Sequence, residues 1–208
     1  MAYRFIKRLL DILISLPAIL VLLPVFAVVI IAIKLSSRGP AVFRQTRAGK
    51  GGKPFTFYKF RTMRADVDPF GTSPKSDKDP RLTKVGIFLR EYSLDELPQL
   101  FNVLKGDMSI VGPRPLYIQQ MAEWDDEQKK RLLVKPGLTG LAQISGRGEL
   151  TKEEKLALDV EYVRKASLLL DFKIIFLTLW QVLTSKSIYE KRYSQTEDTR
   201  GQKDKNGL

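Results

Sequence analysis

The sequence predicts an α+β fold that is mostly helical, with a small β-hairpin, an N-terminal membrane helix and interfacial amphipathic helices. Three observations predict it: a long apolar run over residues 12–33, two short aromatic-rich runs around a glycine cluster at 49–52, and segments of helical periodicity beyond them. A chain of 208 residues suits one core plus a membrane element. We therefore expect a membrane helix in residues 1–38, a globular domain in residues 39–184 and a polar, flexible tail in residues 185–208.

The N-terminal apolar run is long enough to span a bilayer. From Ile12 to Ile33 the only clearly polar side chain is that of Ser15, and as a helix the run would reach about 33 Å. The run exceeds the apolar part of a signal peptide, and no small-residue cleavage site follows it. The sequence therefore predicts insertion into a membrane.

Two features leave the path of this helix through the membrane open. Pro17 and Pro24 lie inside the run, and a kink is expected near Pro24 because proline removes a backbone donor. Basic residues flank both ends of the run, so the positive-inside rule favours keeping both ends in the cytoplasm: Arg4, Lys7, Arg8, Lys34, Arg38, Arg44 and Arg47. A re-entrant helix-break-helix satisfies that rule, while a simple spanning helix with a tolerated proline is the alternative.

The remaining elements follow in chain order. The residues 41–43 and 55–60 are predicted as strands of the hairpin, and residues 66–81 as loop. Helices are predicted over residues 85–90, 94–104, 117–133, 153–165 and 168–183, and the last could lie in the headgroup plane or pack as core. A glycine-punctuated stretch over 134–148 separates the third helix from the fourth.

Composition limits the chemistry that is available. The chain has 35 basic and 23 acidic residues, a formal net charge of +12, which indicates an anionic partner: nucleic acid, acidic headgroups or phosphorylated substrates. It contains no cysteine and no histidine, which excludes disulfides, thiol nucleophiles, most zinc sites and a histidine base. Catalysis here would rest on Asp, Glu, Lys, Arg or Tyr.

The adjacent carboxylates Asp95 and Glu96 have two interpretations. A carboxylate can attack phosphorus, a second can hold a divalent cation, and Arg114, framed by Pro113 and Pro115, can fork onto phosphate oxygens. Alternatively, Ser93 and Glu96 match a capping box at the start of a helix, where acidic residues only stabilise the dipole. Pro98 makes the first turn irregular, which weakens the capping interpretation.

Several motifs in order carry a specific resemblance. The segments 59–63 (KFRTM), 93–103 (SLDELPQLFNV), 105–109 (KGDMS), 111–115 (VGPRP) and 136–140 (PGLTG) resemble the bacterial sugar transferase family. These are monotopic polyprenyl-phosphate phosphoglycosyl transferases of the bacterial inner membrane, and the chain is similar to their minimal, single-domain form. The likeness extends over nearly the whole chain.

The resemblance implies a reaction and a topology. Family members transfer a sugar-1-phosphate from a UDP-sugar to polyprenyl phosphate, typically undecaprenyl phosphate, and release UMP with Mg²⁺ as cofactor. They begin the membrane steps of glycoconjugate and polysaccharide assembly. The N-terminal helix is re-entrant in the family, and the catalytic domain faces the cytoplasm. Many members carry Ser-Pro at the break, whereas this chain has Leu23 and Pro24.

The resemblance also implies residue roles. Asp95 would be the nucleophile that forms a covalent phosphosugar intermediate, and Glu96 would bind the metal, with Asp95, or orient Asp95. Arg114 would clamp phosphate between Pro113 and Pro115, and Pro24 would shape the membrane helix. Four basic residues at matching positions would contact phosphate: Lys59, Arg61, Arg90 and Arg147. Two further residues at matching positions would lie beside the nucleotide: Asp159 and Tyr162.

A rival class keeps the membrane helix but has no catalysis. A tethered protein that binds anionic lipid or nucleic acid would explain the charge without the carboxylate pair. The motifs favour the enzyme, with UDP-sugar, polyprenyl phosphate and membrane lipids as partners and no nucleic acid. The identity of the sugar and the oligomeric state do not follow from the sequence.

Overall fold

The computed structural model describes residues 2–67, 74, 78–146 and 150–184. It confirms the mostly helical α+β fold, with six α-helices and two small sheets in the described ranges. Residues 185–208 and most of the predicted loop over 66–81 lie outside the described residues.

Helix α1, Ala2–Ser36, holds the apolar run and continues without interruption through Pro17 and Pro24. By length and apolar composition it could cross a membrane. Only one stripe of it is buried, which includes Asp11, Ile19 and Ile33. The helix is therefore a packing element of the globular domain along one face, and its re-entrant path stays a prediction.

Polar contacts attach the first turns of α1 to the domain. Arg8 donates from Nη1 to the Val103 carbonyl at 2.6 Å and from Nη2 to the Leu104 carbonyl at 2.8 Å. Asp11 accepts hydrogen bonds from the Ser109 hydroxyl at 2.9 Å and the Ile110 amide at 2.8 Å. Because such buried polar groups need defined partners, these bonds fix the register of α1 against the domain.

The far end of α1 contacts the same domain. Arg61, at the exit of the second strand, donates to the Arg38 carbonyl at 2.7 Å and the Ser37 carbonyl at 2.8 Å. Phe26 and Ile33 pack with Phe60 in a buried apolar cluster. Both ends of the helix therefore lie against one globular domain.

The predicted hairpin is confirmed, although its first strand is longer than the predicted residues 41–43. Strands β1, Val42–Ala48, and β2, Pro54–Phe60, pair antiparallel, with Phe43 opposite Lys59. The glycine turn between them includes Gly51 at φ +66°, a conformation that glycine adopts at low cost. A second, parallel pair of three-residue strands, β3 (Ser109–Val111) and β4 (Gly137–Thr139), was not predicted.

Of four further predicted helices, three match the structure closely and one matches in part. Helices α2 (Lys84–Glu91), α5 (Lys152–Lys165) and α6 (Leu168–Leu183) agree with the predicted segments within one residue at each end. The predicted helix over 94–104 is instead a 3₁₀ turn, Leu94–Glu96, followed by α3, Gln99–Lys105. A short helix α4, Leu141–Ser145, lies in the glycine-punctuated stretch.

The single helix predicted over 117–133 was wrong. Two 3₁₀ helices, Ile118–Glu123 and Gln128–Leu133, occupy that region and are separated at Trp124 in extended conformation. Trp124 is 3% exposed, and its ring lies 4.9 Å from the Arg131 guanidinium carbon. Packing of one large ring has overridden local helix propensity here.

Large apolar side chains remain exposed on two helices. On α1 they include Leu13, Val21 and Leu35, and on α6 they include Phe176, Trp180 and Leu183. Exposed apolar surface of this extent is typical of a membrane or protein contact.

Candidate active site

The carboxylate pair lies in a short, irregular turn. Ser93 has φ +56°, and no side-chain hydrogen bond caps the turn that follows. The capping-box interpretation was therefore wrong, because a capping serine needs extended backbone and accepts an amide bond. The turn instead buries the Asp95 side chain to 3% exposure and leaves Glu96 at 19%.

Lys59 links strand β2 to the turn. Its Nζ lies 2.6 Å from Asp95 Oδ2 and 3.9 Å from Glu96 Oε1. A phosphate role was predicted for Lys59 from the family resemblance, and the structure brings its ammonium directly to both carboxylates. The contact with Asp95 is an ion pair in which the carboxylate is almost fully buried.

Asn102 holds the two elements in this register. Its side-chain amide, fully buried in α3, donates to the Thr56 carbonyl at 2.6 Å and accepts from the Tyr58 amide at 3.1 Å. These bonds fasten β2 to α3, which directly follows the turn of Asp95. Sequence reasoning missed Asn102 because nothing in its local pattern distinguishes it from other polar helix residues.

Arg114 completes the cluster. Its Nη2 lies 2.7 Å from Glu96 Oε1 and its Nη1 lies 3.5 Å from Oε2, a two-pronged approach. Glu96 thus lies between two cations, Arg114 and Lys59. The described residues form a sequence of alternating charges that runs from Asp95 through Lys59 and Glu96 to Arg114.

Close backbone packing positions the loop that carries Arg114. Gly112 donates to the Thr139 carbonyl at 2.8 Å, and Gly137 donates to the Pro113 carbonyl at 2.9 Å. A Cβ on Gly137 would lie 2.1 Å from the Gly112 nitrogen, and one on Gly140 would lie 2.2 Å from the Gly112 oxygen. The glycines of the 136–140 motif therefore let the arginine loop lie directly on β4.

Arg131 stabilises the same loop through a hydrogen bond to its backbone. Its Nη2 donates to the Arg114 carbonyl at 2.6 Å and to Asp159 Oδ2 at 2.7 Å, and both side chains of this ion pair are almost fully buried. Asp159, expected beside the nucleotide, is thus the buried partner of Arg131. No role was predicted for Arg131, because the single helix predicted over 117–133 did not distinguish it from its charged neighbours.

Three other predicted residues are described by the structure: Tyr162, Arg61 and Arg90. Tyr162 donates to Asp171 Oδ1 at 2.7 Å, and burial raises the pKa of its hydroxyl, which therefore stays protonated. The Arg61 guanidinium binds the carbonyls at the end of α1, and Arg90 lies in the last turn of α2, where its carbonyl accepts from the Ser93 amide. Arg147 lies outside the described residues.

The carboxylates Asp95 and Glu96 could contribute to a metal site together with a substrate. In the described part of the chain, no three acidic side chains converge on one point that could hold a metal. Mg²⁺ is commonly held by one or two carboxylates while phosphate oxygens and water complete its shell. Glu96 and Asp95 fit that pattern.

Comparison with known proteins agrees with the motifs. Residues 2–185 match the family model described as bacterial sugar transferase. The chain is 45% identical over 194 residues to the UDP-glucose:undecaprenyl-phosphate glucose-1-phosphate transferase of Escherichia coli K12, covering 89% of this chain and 42% of that protein. It is 48% identical over 157 residues to galactosyl transferase CpsE of Streptococcus agalactiae, covering 70% and 35%.

A shorter relative matches along most of its length. The uncharacterised sugar transferase EpsL of Bacillus subtilis is 45% identical over 179 residues, covering 86% of this chain and 87% of that protein. By contrast, the chain spans less than half the length of the Escherichia coli and Streptococcus relatives. Because the family model covers nearly the whole chain, this protein belongs to the bacterial sugar transferase family.

Proposed function

We propose that this protein transfers a sugar-1-phosphate from a UDP-sugar to undecaprenyl phosphate and releases UMP. The observation that carries the proposal is a cluster of two carboxylates and two cations. In it Lys59 contacts both the buried Asp95 and Glu96, and Glu96 contacts Arg114. Relatives named for this kind of transfer, from Escherichia coli and Komagataeibacter xylinus, support it. The reaction would be the first membrane step of glycoconjugate assembly.

The first half of the reaction forms a covalent intermediate on Asp95. Its carboxylate oxygen attacks the β-phosphorus of the donor, and the bond from that phosphorus to the bridging oxygen breaks. UMP leaves with the bonding electron pair, and the sugar phosphate stays on Asp95 as an acyl phosphate. Lys59 orients the attacking carboxylate, since its ammonium lies 2.6 Å away.

The second half returns the enzyme to its starting state. A phosphate oxygen of undecaprenyl phosphate attacks the same phosphorus, the bond to Asp95 breaks, and the carboxylate is regenerated. Arg114 stabilises charge on the phosphoryl oxygens in both halves of the reaction. Its guanidinium contacts Glu96 in the structure and can bind a phosphate in the same bidentate way. The kinetics are then ping-pong.

Glu96, with Asp95, would hold Mg²⁺ against the donor diphosphate. When bound there, the metal supplies positive charge that favours departure of UMP. Glu96 is also the ion-pair partner of Arg114, with Oε1 2.7 Å from Nη2.

We place the protein on the cytoplasmic side of the inner membrane as a monotopic protein. The exposed apolar side chains of α1 and α6 supply a face for lipid, and both ends of α1 contact the same domain. A helix that enters and leaves one leaflet accounts for both observations together with the basic flanks. Labelling of a tag at the N-terminus from outside intact cells would contradict this topology.

Activity is tested by incubating the protein with undecaprenyl phosphate, Mg²⁺ and a panel of UDP-sugars while UMP release is measured. We expect release with one or a few donors in the wild type and none with Asp95→Asn. Full activity in the variant, or no release with any donor, would reject the mechanism. A protein that only binds anionic lipid would bind vesicles but release no UMP.

A further inference from the structure

Arg47 lies near the site but was not among the residues predicted to act there. It is the penultimate residue of β1, and its guanidinium carbon lies 3.6 Å from the centre of the Tyr117 ring and 5.6 Å from that of Phe57. Two aromatic rings thus hold the guanidinium in a defined plane, a geometry that favours arginine over lysine.

The charge of Arg47 has no acidic partner in the part of the chain that the structure describes. The pKa of its guanidinium is lowered to about 10, mainly by burial; Tyr117 opposes the shift, and the charge of Arg114 contributes to it. Its Nε is buried and donates no hydrogen bond. Buried cations are normally paired, so this arrangement is costly unless an anion completes it.

The fold brings Arg47 to the arginine loop. The amide of Ala48, its neighbour, donates to the Leu116 carbonyl at 3.0 Å, which joins the end of β1 to the segment after Pro115. A small cleft lies at this junction, lined by Ala48, Gly49, Pro113, Arg114, Pro115 and Arg131 among others. Two arginines from different elements therefore come near each other, Arg47 from the hairpin and Arg114 from the loop, and the charge of Arg114 acts on the Arg47 guanidinium.

We propose that Arg47 is a second phosphate-binding cation, which with Arg114 clamps the diphosphate of the nucleotide donor. This inference rests on the proposed function for the identity of the anion. Tyr117 serves as the platform that holds the Arg47 guanidinium, and the phosphate supplies the anionic partner that this guanidinium lacks among the described residues. Arg114 then binds the phosphoryl group that is transferred, while Arg47 binds the diphosphate of the donor and holds it in place.

The test compares Arg47→Gln and Arg47→Lys with a matched control, Arg44→Gln. Arg44 lies on the same strand, is exposed, and lies 6.0 Å from the Tyr58 ring. UDP and uridine binding are measured by calorimetry without acceptor, and the KM for the donor is measured separately from kcat. Melting temperatures identify variants that have lost their fold.

We expect Arg47→Gln to weaken UDP binding and raise the donor KM by at least about tenfold, the effect of losing one charge-assisted hydrogen bond. Arg47→Lys should recover part of the loss, and uridine affinity should change by less than about twofold in all variants. Arg44→Gln should behave as the wild type.

Two results would overturn the inference. One is UDP affinity in Arg47→Gln equal to that of the wild type, and the other is an equal loss of uridine and UDP affinity, which indicates a structural role. If Arg47→Gln does not fold, the same comparison in Arg47→Lys decides. Because UDP binding needs no turnover, a wild type that binds UDP through Arg47 but releases no UMP would reject the proposed reaction and leave this inference standing.

Discussion

Lys59 Nζ lies 2.6 Å from Asp95 Oδ2, although 36 positions separate the two residues in the chain. The ammonium comes from the hairpin and the carboxylate from a turn before α3, so tertiary packing alone creates the pair. The same ammonium lies 3.9 Å from Glu96. One cation therefore organises both carboxylates.

Replacing Lys59 should slow the attack of Asp95. Lys59→Met leaves a buried carboxylate without its counterion, and we expect the rate of UMP release in a single turnover to fall at least about tenfold, or about 1.4 kcal/mol in the barrier. The matched control is Lys53→Met, an exposed lysine of the same hairpin connection, which should keep the wild-type rate. Equal rates in the two variants would mean that Lys59 does not act on the nucleophile.

The pair of Glu96 and Arg114 should matter for activity far more than for stability. Their side chains are 19% and 45% exposed, so the pair contributes below about 1 kcal/mol to the free energy of unfolding. We expect Glu96→Gln and Arg114→Gln each to lower kcat/KM by more than about tenfold, with the double variant less impaired than the product of the two losses.

The double-mutant cycle has a matched control in the exposed pair of Lys165 and Glu161, whose Nζ and Oε1 are 2.8 Å apart. Lys165→Met should leave both activity and melting temperature near the wild-type values. Independent, multiplicative losses in the cycle would show that Glu96 and Arg114 do not act as a unit.

Gly137→Ala should damage the arginine loop. The new methyl group would lie 2.1 Å from the Gly112 nitrogen and 2.4 Å from the Thr139 oxygen, so backbone must move. We expect a loss of about 3 kcal/mol or more in the free energy of unfolding, measured by denaturant titration. Gly51→Ala meets no atom within 4 Å and should cost only the strain of its positive φ, about 1–2 kcal/mol. A smaller loss at Gly137 than at Gly51 would contradict the packing described.

Lys135 should give the protein a measurable pH dependence. Burial and then the charge of Arg8 lower the pKa of its ammonium from 10.5, so the charged form destabilises the folded state. That penalty is complete below the folded pKa and vanishes as the pH rises to 10.5. The melting temperature of Lys135→Met relative to the wild type should therefore fall as the pH rises from 8 towards 10.5.

The exposed Lys105 provides the control for this pH series. Asp107 raises the pKa of the Lys105 ammonium above 10.5, so its contribution to stability is constant below that value and is lost only above it. The difference between Lys105→Met and the wild type should stay flat over the same range. A flat difference for Lys135→Met as well would contradict the lowered pKa.

The elements that the sequence predicted well are those with strong local signals. The apolar run of α1, the hairpin around its glycine turn, and α5 with its capping Thr151 each carry a pattern that needs no distant partner. By contrast, β3 and β4 have three residues each and exist because their backbones pair across 25 intervening residues. No local pattern distinguishes such strands.

The residues of the candidate site also separate into those with a local sequence signal and those whose role depends on tertiary contacts. The motifs identified Asp95, Glu96 and Arg114, and the structure brings these three together through Lys59. Supporting residues were missed because their roles depend on tertiary contacts, as when Asn102 bonds the hairpin or Arg131 bonds the Arg114 carbonyl. The capping interpretation of Ser93 was wrong because its backbone is left-handed, which no residue-type rule would indicate for a serine.

Intact-protein mass spectrometry can detect the covalent bond that we propose between Asp95 and a sugar phosphate. The protein is incubated with Mg²⁺ and its UDP-sugar in the absence of undecaprenyl phosphate, then quenched and weighed. We expect the wild type to gain the mass of one sugar phosphate on the peptide that contains Asp95, and we expect this gain to disappear when undecaprenyl phosphate is added. An active wild type without this adduct, or an adduct of the same mass on Asp95→Asn, would contradict it.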